Sequence, residues 1–280
     1  MGGFAGMRVL SLESRRSREM AQLITNNGGQ ATVAPSTREV PSGPNADELK
    51  FASELVEGRF AIVIFMTGVG TRSLVEAIAS VCPREQFASA LSRTCVVARG
   101  PKPVAALREL GVPIALQVPE PNTWREILQV LDDNAERFPL RDRQVAVQEH
   151  GEPSPELYAG LKQRGAEVFP VSVYQWALPE DAAPLREAVV ALSRRQIDVV
   201  LFTSSVQVDH LFQIAEELRL REELVSALNL AMVASIGPVT SETLRGYGIK
   251  VSMQPTHPKM GFLVKEAADQ SAELSNQDHR

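Results

Sequence analysis

The chain has 280 residues, a length that favours two domains over one. Its composition, with 44% hydrophobic and 22% charged residues, is that of a folded globular protein and excludes a disordered chain. The net charge of -5 argues against a general nucleic-acid binder but leaves room for a small anionic ligand. No apolar run approaches the ~18 residues of a membrane helix, and residues 1–7 are too short and glycine-rich for a signal peptide. We therefore expect a cytoplasmic protein with no nucleic-acid or membrane partner.

The first half of the chain alternates short apolar runs with amphipathic stretches. Residues 8–13 predict a strand, the stretch up to Gly28 predicts a helix, and residues 31–35 predict a second strand. Residues 61–65 and 95–98 predict two further strands, each followed by a helix. Continuous apolar runs of this length are typical of parallel strands that are buried on both faces. The order predicts an α/β fold with helices on both faces of a parallel sheet.

The second half repeats this order at an offset of 135 to 137 positions. Residues 144–149 open it as residues 8–13 open the first half, with an apolar strand before a helix. Phe65 and Phe202 are separated by 137 positions, and Gly100 and Gly237 by the same number. A common offset over several segments indicates two homologous halves.

Two stretches do not fit a compact strand–helix unit. Residues 36–44 and residues 171–179 are extended, bounded by proline and partly β-branched, and each follows the second strand of its half. Because they occupy equivalent places in the duplication, we interpret them as a pair of linker strands.

The loops that follow the strands carry most of the chemically distinctive side chains, and parallel sheets bind ligands at these strand ends. Arg15 and Arg16 follow the first strand at a helix start, where they either bind an anion or simply face solvent. Thr67 and Gly68 lie in a glycine-lined turn that either binds a carboxylate or only caps the next helix. A dinucleotide-binding loop would need a third glycine, but residue 73 is serine.

The corresponding loop of the second half has the same small, hydroxyl-bearing character. Thr203, Ser204 and Ser205 follow the predicted strand 198–202 and precede an amphipathic helix. Hydroxyl donors at a helix N-terminus suit a carboxylate ligand, and they also suit ordinary capping.

A second pair of loops consists of tight Gly-Pro turns between a strand and a helix. Arg99 and Lys102 flank the turn in the first half and supply cations there. Gly237 and Thr240 lie in the matching turn of the second half, where Thr240 caps the helix, binds an anion or does both.

The sequence contains no recognisable metal-binding or cofactor-binding motif. Cys82 and Cys95 do not have the spacing of a metal site, and we expect two reduced, partly buried thiols. The four histidines are scattered, and no P-loop or Ser-His-Asp pattern is present. We expect neither metal nor cofactor, and an enzyme that orients a polyanion or a protein that only binds one.

Four motifs carry a family resemblance. Residues 202–205 before an amphipathic helix, residues 234–240 about thirty positions later, residues 165–174 and residues 255–258 are similar, in order and spacing, to uroporphyrinogen-III synthases. The resemblance spans roughly residues 7 to 268. It implies two flavodoxin-like domains joined by a two-stranded linker, with the substrate in the cleft between them. It also implies a discontinuous first domain, residues 1–38 and 175–280, and a second domain of residues 39–174.

The resemblance implies conversion of hydroxymethylbilane into uroporphyrinogen III, with loss of water and inversion of the last pyrrole ring. The substrate is a linear tetrapyrrole with many carboxylates. Porphobilinogen deaminase is considered as a transient partner. Tyr174 matches the family tyrosine that assists departure of the hydroxyl group, or else it is a half-buried linker tyrosine. Thr240 matches a family threonine near the substrate, and Ser204 or Ser205 matches a family serine.

Two other classes of protein compete with this interpretation. A non-catalytic cytoplasmic protein with two α/β lobes that binds a small anion would have the same layout. A nicotinamide- or flavin-dependent enzyme is a more distant alternative, because an intact glycine fingerprint would be expected for it.

Overall fold

The computed structural model describes residues 3–41 and 46–277, with side chains of the last helix described as far as residue 272. Residues 42–44 of the first predicted linker stretch lie outside the described residues, as do the chain ends 1–2 and 278–280 of the predicted first domain.

Eleven strands are formed by the described residues. In chain order they are β1 Arg8–Ser11, β2 Gln30–Val33, β3 Arg38–Pro41, β4 Phe60–Phe65, β5 Cys95–Ala98, β6 Leu116–Gln117, β7 Gln144–Gln148, β8 Glu167–Val171, β9 Tyr174–Ala177, β10 Val199–Phe202 and β11 Met232–Ser235.

Twelve helices accompany them in the same part of the chain. They are α1 Ser17–Asn26, α2 Ala46–Val56, α3 Gly68–Ile78, α4 Arg84–Leu91, α5 Pro101–Glu109, α6 Trp124–Asp133, α7 Pro155–Gln163, α8 Ala183–Ser193, α9 Ser205–Glu217, α10 Arg221–Leu228, α11 Pro238–Gly246 and α12 Met260–Gln277.

The chain divides into two compact units. Unit 1 consists of residues 1–38 and 177–280, and unit 2 consists of residues 39–176. Each unit therefore combines a piece from the first half of the sequence with a piece from the second half. The sequence analysis predicted two domains, residues 1–38 with 175–280 and residues 39–174. That these fold as independent domains stays a prediction.

The sheet of unit 1 has the order β11-β10-β1-β2, and all its strands are parallel. Val9 of β1 pairs with Val199 of β10 and packs on the same face. Leu10 and Val200, the next residues along, pair with each other and pack on the opposite face. Both faces are buried, which is why these strands read as continuous apolar runs.

The sheet of unit 2 has the order β6-β5-β4-β7-β8, again with parallel strands throughout. Val63 and Phe65 of β4 enter one core cluster, whereas Ile62 and Ile64 enter the cluster on the other face. Pro170 lies in β8 at the edge of the sheet, where a residue without an N–H group is tolerated.

The two units share one strand order. In unit 2, β7 and β8 can be counted as strands 1 and 2, and β4, β5 and β6 as strands 3 to 5. The sheet then has the order 2-1-3-4-5, which is that of flavodoxin-like sheets. In unit 1, β1 and β2 are strands 1 and 2, and β10 and β11 are strands 3 and 4, which gives the order 2-1-3-4. An isolated parallel bridge between Ala234 and Met253 lies where a fifth strand would pair with β11. The opening strands β1 and β2 belong to unit 1, while the equivalent β7 and β8 belong to unit 2. The predicted fold class, two parallel α/β sheets from an internal duplication, is confirmed.

The predicted linker strands are also present. β3 and β9 pair with each other in a separate two-stranded sheet where the chain passes from one unit to the other.

The structure adds elements that the sequence analysis did not predict. The helices α4 and α10 are both eight residues long and occur at equivalent points of the two halves, and β6 has only two residues. Segments this short contain too few turns or pleats to show a clear period. Cys82 and Cys95 are buried free thiols, as predicted.

Candidate active site

The strand order of unit 2 reverses between β4 and β7, and this is where such sheets bind ligands. The side chain of Gln148, the last residue of β7, bridges the two strand ends because its Oε1 accepts a hydrogen bond from the N–H of Thr67 at 3.3 Å. Gly70 leaves room for this side chain, since a Cβ there would stand 2.0 Å from Gln148 Nε2. The sequence analysis did not identify Gln148.

Thr67 caps helix α3 and also faces the linker tyrosine. Its Oγ1 accepts a hydrogen bond from the N–H of Gly70 at 3.0 Å, as the capping interpretation predicts. The same oxygen lies 3.4 Å from the hydroxyl of Tyr174. Next to it, Gly68 packs so closely on the start of α5 that a Cβ would stand 2.6 Å from the carbonyl oxygen of Lys102. The structure therefore brings Thr67, Gly68, Lys102 and Tyr174 to one edge of the sheet.

Tyr174 is the first residue of β9 and is 2% exposed. Its ring meets that of Trp176 edge to face, with 5.5 Å between the ring centroids. Trp176 is held in turn by a hydrogen bond of 2.8 Å from its Nε1 to the carbonyl oxygen of His150. The loop after β7 therefore fixes the aromatic side chains of the linker strand, and Tyr174 is fully buried, not half-buried as the linker-tyrosine interpretation expected.

Arg99 follows β5 and is half-buried close to Tyr174 and His150. Burial lowers the pKa of the Arg99 guanidinium to about 10, so the group stays cationic at neutral pH. Burial and the neighbouring Arg99 lower the pKa of His150 to about 3, so that imidazole is neutral. Lys102, in contrast, is exposed.

A buried carboxylate lies next to His150 in the chain. Glu149 is 7% exposed and accepts a hydrogen bond from the hydroxyl group of Tyr158. Burial and this carboxylate raise the pKa of the Tyr158 hydroxyl. The phenol of Tyr158 is therefore the group that this carboxylate engages.

In unit 1 the strand order reverses between β1 and β10, and a carboxylate occupies this point. Glu13 accepts a hydrogen bond of 2.7 Å from Thr203 Oγ1, and its other oxygen accepts one of 3.2 Å from the N–H of Arg16. Arg15 and Arg16 are exposed, and Arg16 forms an ion pair with Glu19 on the surface of α1.

The remaining hydroxyl groups of unit 1 lie at the N-termini of α9 and α11. Ser204 is the N-cap of α9 but forms no side-chain capping bond, and Ser204 and Ser205 are both half-buried. Thr240 is buried in the first turn of α11, behind the N-cap residue Gly237. Within residues 3–41 and 46–277, the hydroxyl groups of Ser204, Ser205 and Thr240 have no hydrogen-bond partner.

Ser235 and Ser241 complete this edge of unit 1. Their hydroxyl groups are hydrogen-bonded to each other, and Gln254 Nε2 donates to Ser241 Oγ at 2.7 Å. Both serines are fully buried, and this internal bonding makes them supports for the loop.

No cluster of three or more His, Cys, Asp or Glu side chains in the described part of the chain could hold a metal ion. None of the helices described is long and apolar enough to cross a membrane.

The two units share one strand order, and this defines a duplicated α/β protein. Each unit has polar loops at the carboxyl ends of its strands, where such sheets are expected to bind ligands. Residues 18–265 match the model of the family described as uroporphyrinogen-III synthase HemD. The chain belongs to the uroporphyrinogen-III synthase family, as the sequence motifs indicated.

Two relatives are similar to most of this chain. A protein of Methanothermobacter thermautotrophicus, provisionally named a uroporphyrinogen-III synthase, is 32% identical over 237 residues, which cover 84% of this chain and 87% of that protein. The uncharacterized protein YjjA of Bacillus subtilis is 32% identical over 279 residues, 95% of this chain and 96% of that one.

Solved structures show the same fold. The uroporphyrinogen III synthase of Thermus thermophilus is 26% identical, with a TM-score of 0.54 over 93% of this chain and 99% of that one. A mutant of the synthase from the same organism superimposes with a TM-score of 0.70 at 24% identity, covering 95% of this chain and 100% of that one.

Proposed function

We propose that this protein is a uroporphyrinogen-III synthase, a lyase that converts hydroxymethylbilane into uroporphyrinogen III. The observation that carries the proposal is the position of the Tyr174 hydroxyl group: it lies at the carboxyl edge of the unit 2 sheet, 3.4 Å from Thr67 Oγ1. Family membership supports the same reaction.

The chemistry needs a hydrogen-bond donor more than a strong acid. The C–O bond of the hydroxymethyl group breaks, and the oxygen takes up a proton and leaves as water. One proton is released in turn when the free α-carbon of the last ring loses its hydrogen at ring closure. Tyr174 donates a hydrogen bond to the departing oxygen and stabilises the negative charge that develops on it as the bond breaks. The electrophilic azafulvene that remains reacts with the last pyrrole ring.

The isomer depends on where that ring is attacked. Attack through its substituted carbon gives a spiro intermediate and then the inverted ring of isomer III, whereas direct closure gives the symmetric isomer I. The protein therefore acts mainly by holding the substrate in one geometry, and orientation of this kind can lower the barrier by about 7–11 kcal/mol in well-oriented reactions.

We propose that strand-end groups bind the carboxylates that fix this geometry. In unit 2 these are Thr67, Gly68, Arg99 and Lys102. In unit 1 the hydroxyl groups of Ser204, Ser205 and Thr240 can donate hydrogen bonds to a substrate carboxylate, because they have no hydrogen-bond partner among the residues that the structure describes. The other proposed binding residues of unit 1 are Arg15, Arg16, Thr203 and Gly237.

Three further parts of the proposal follow from the reaction. The substrate is supplied by porphobilinogen deaminase, which we propose as a transient partner. The reaction requires no cofactor, because loss of water and ring closure involve no change of oxidation state. We propose a cytoplasmic location, where soluble tetrapyrrole precursors are made.

A coupled assay tests this function. Porphobilinogen deaminase generates hydroxymethylbilane in the presence of the protein, and the oxidised porphyrins are separated by isomer. Predominantly type III porphyrin is expected. Type I porphyrin alone, the product of uncatalysed closure, would favour a protein that binds an anion without catalysis.

A further inference from the structure

Arg99 differs from the other half-buried arginines of the described chain in having no carboxylate partner. Arg8 forms a bidentate ion pair with Asp198, with the shorter distance at 2.6 Å, and Arg164 forms one with Asp132, also at 2.6 Å. In the part of the chain that the structure describes, no carboxylate lies within 4.0 Å of the Arg99 guanidinium. A half-buried cation without a partner loses hydration that nothing in the described chain replaces, and an anion from outside the chain would compensate that loss.

The neighbours of Arg99 leave its charge uncompensated. His150 is neutral at physiological pH, and its Nδ1 is buried without a hydrogen-bond partner among the described residues. The carboxylate of Glu149 is hydrogen-bonded to Tyr158 and forms no ion pair with Arg99 among the described residues. The site thus presents one positive charge and an unused imidazole nitrogen beside Tyr174.

The backbone fixes Arg99 at this place. Its N–H donates to the carbonyl oxygen of Phe65 at 2.9 Å, which ties it to the end of the adjacent strand β4. Gly100, the next residue, has φ +85°, and a Cβ there would stand 2.9 Å from Asn122 Oδ1. These contacts hold the main chain of Arg99 at the end of β4, two residues before Thr67, whose Oγ1 lies 3.4 Å from the Tyr174 hydroxyl group.

We propose that Arg99 binds a carboxylate of the first pyrrole ring, the ring that carries the departing hydroxyl group. This inference rests on the proposed function, in which Tyr174 binds that hydroxyl. The acetate of the same ring is attached to the neighbouring ring carbon, and a planar guanidinium binds a carboxylate through two parallel hydrogen bonds. Arg99 and Tyr174 would then hold adjacent substituents of one ring.

Binding of the carboxylate also fits the chemistry that follows. Loss of the hydroxyl group leaves a cationic azafulvene close to Arg99, and an unpaired guanidinium would repel it. A bound carboxylate neutralises Arg99 before that cation forms and places a negative charge next to it.

Two binding experiments test this subsite. Fluorescence titration with uroporphyrin III compares the wild-type protein with Arg99→Gln, Arg99→Lys and the control Arg143→Gln. Arg143 is exposed and precedes β7, at the opposite end of the same sheet. Roughly tenfold weaker binding is expected for Arg99→Gln, the loss of one charge-assisted contact. Arg99→Lys should give an intermediate loss, and Arg143→Gln a change of less than about twofold.

Bilane analogues then assign the ring. One analogue carries methyl in place of the acetate of the first ring, and the other carries it on the last ring. The wild-type KM should rise for the first-ring analogue, and Arg99→Gln should not distinguish that analogue from the natural substrate. Equal effects of the two analogues would overturn the assignment, as would unchanged uroporphyrin affinity in Arg99→Gln. Type I porphyrin alone from the wild-type protein would instead overturn the proposed function, whatever the titrations give.

Discussion

Gly151 lies directly against the ring of Tyr174. A Cβ at position 151 would stand 2.7 Å from Tyr174 Cε2 and 2.5 Å from Trp176 Nε1, closer than real Cβ contacts allow. The loop after β7 thus supports the tyrosine from behind, and the hydrogen bond from Trp176 to the carbonyl oxygen of His150 holds the loop in place. The absence of a side chain at residue 151 is what lets Tyr174 occupy its position.

Gly151→Ala should therefore displace Tyr174 and lower kcat by roughly tenfold or more, because orientation accounts for a large part of such a barrier. KM should change less, since the binding loops at the other strand ends are untouched. The residue also has φ +92°, so backbone strain should reduce the free energy of unfolding by about 1–2 kcal/mol. Steady-state kinetics and urea denaturation measure the two effects.

Gly58→Ala is the matched control. Gly58 has φ +76°, but no atom lies within 4 Å of a Cβ at that position. The control carries the same kind of backbone strain without the contact to Tyr174. If both variants lose stability and kcat equally, Gly151 does not position Tyr174.

Glu13 places a negative charge at the strand ends of unit 1 and engages the hydroxyl group of Thr203. Glu13→Gln should strengthen binding of uroporphyrin III by about threefold to tenfold, because it removes a like charge from the proposed carboxylate site. Titration at low and high salt should show the larger effect at low salt. Glu222→Gln, an exposed change on α10, should leave the affinity unaltered. Weaker binding by Glu13→Gln would show that Glu13 serves to hold the loop.

His150 should make the protein less stable in acid. Its pKa is lowered from 6.5 to about 3 in the folded protein, so below pH 6.5 the unfolded chain binds a proton that the native state does not. The contribution of His150 is complete above pH 6.5 and is lost as the pH falls towards 3. The expected loss is at most about 1.4 kcal/mol per pH unit, or about 2 kcal/mol at pH 5.

His150→Gln removes this titration while keeping a polar side chain of similar size. Urea denaturation at pH 7.5 and pH 5 should show a smaller drop for the variant than for the wild-type protein. An identical pH dependence of the two proteins would show that His150 is protonated in the native state.

The duplication made much of the fold predictable. Val9, Val63 and Val199 lie in apolar runs that are buried on both faces, so the parallel strands could be recognised from composition alone. The linker strands could be recognised because two unusual stretches recur at one offset. The helices α4 and α10 and the strand β6 were missed, since their formation depends on packing more than on a local pattern.

The sequence could predict that Thr67 and Arg99 lie at strand ends, because each directly follows an apolar run, whereas their binding roles stay predictions. The role of Gly151 could not be read from the sequence, because it arises from contact with side chains more than twenty positions away. The bond between Glu13 and Thr203 joins residues 190 positions apart. One signal was available: Gln148 ends the opening strand of the second half and Gly151 lies in the loop after it, just as Glu13 to Arg16 lie in the loop after the opening strand of the first half.

The central claim is that Tyr174 assists loss of the hydroxyl group on the way to the type III isomer. The most direct test measures rate and porphyrin isomer in one coupled assay for the wild-type protein, Tyr174→Phe and Tyr247→Phe. Tyr247 is the control because its hydroxyl group donates to Asp209 in unit 1, at 2.9 Å. We expect mainly type III porphyrin from the wild-type protein and from Tyr247→Phe, and at least about tenfold slower formation with Tyr174→Phe. Type III porphyrin formed by Tyr174→Phe at the wild-type rate would contradict the role of this tyrosine, and type I alone from the wild-type protein would contradict the function itself.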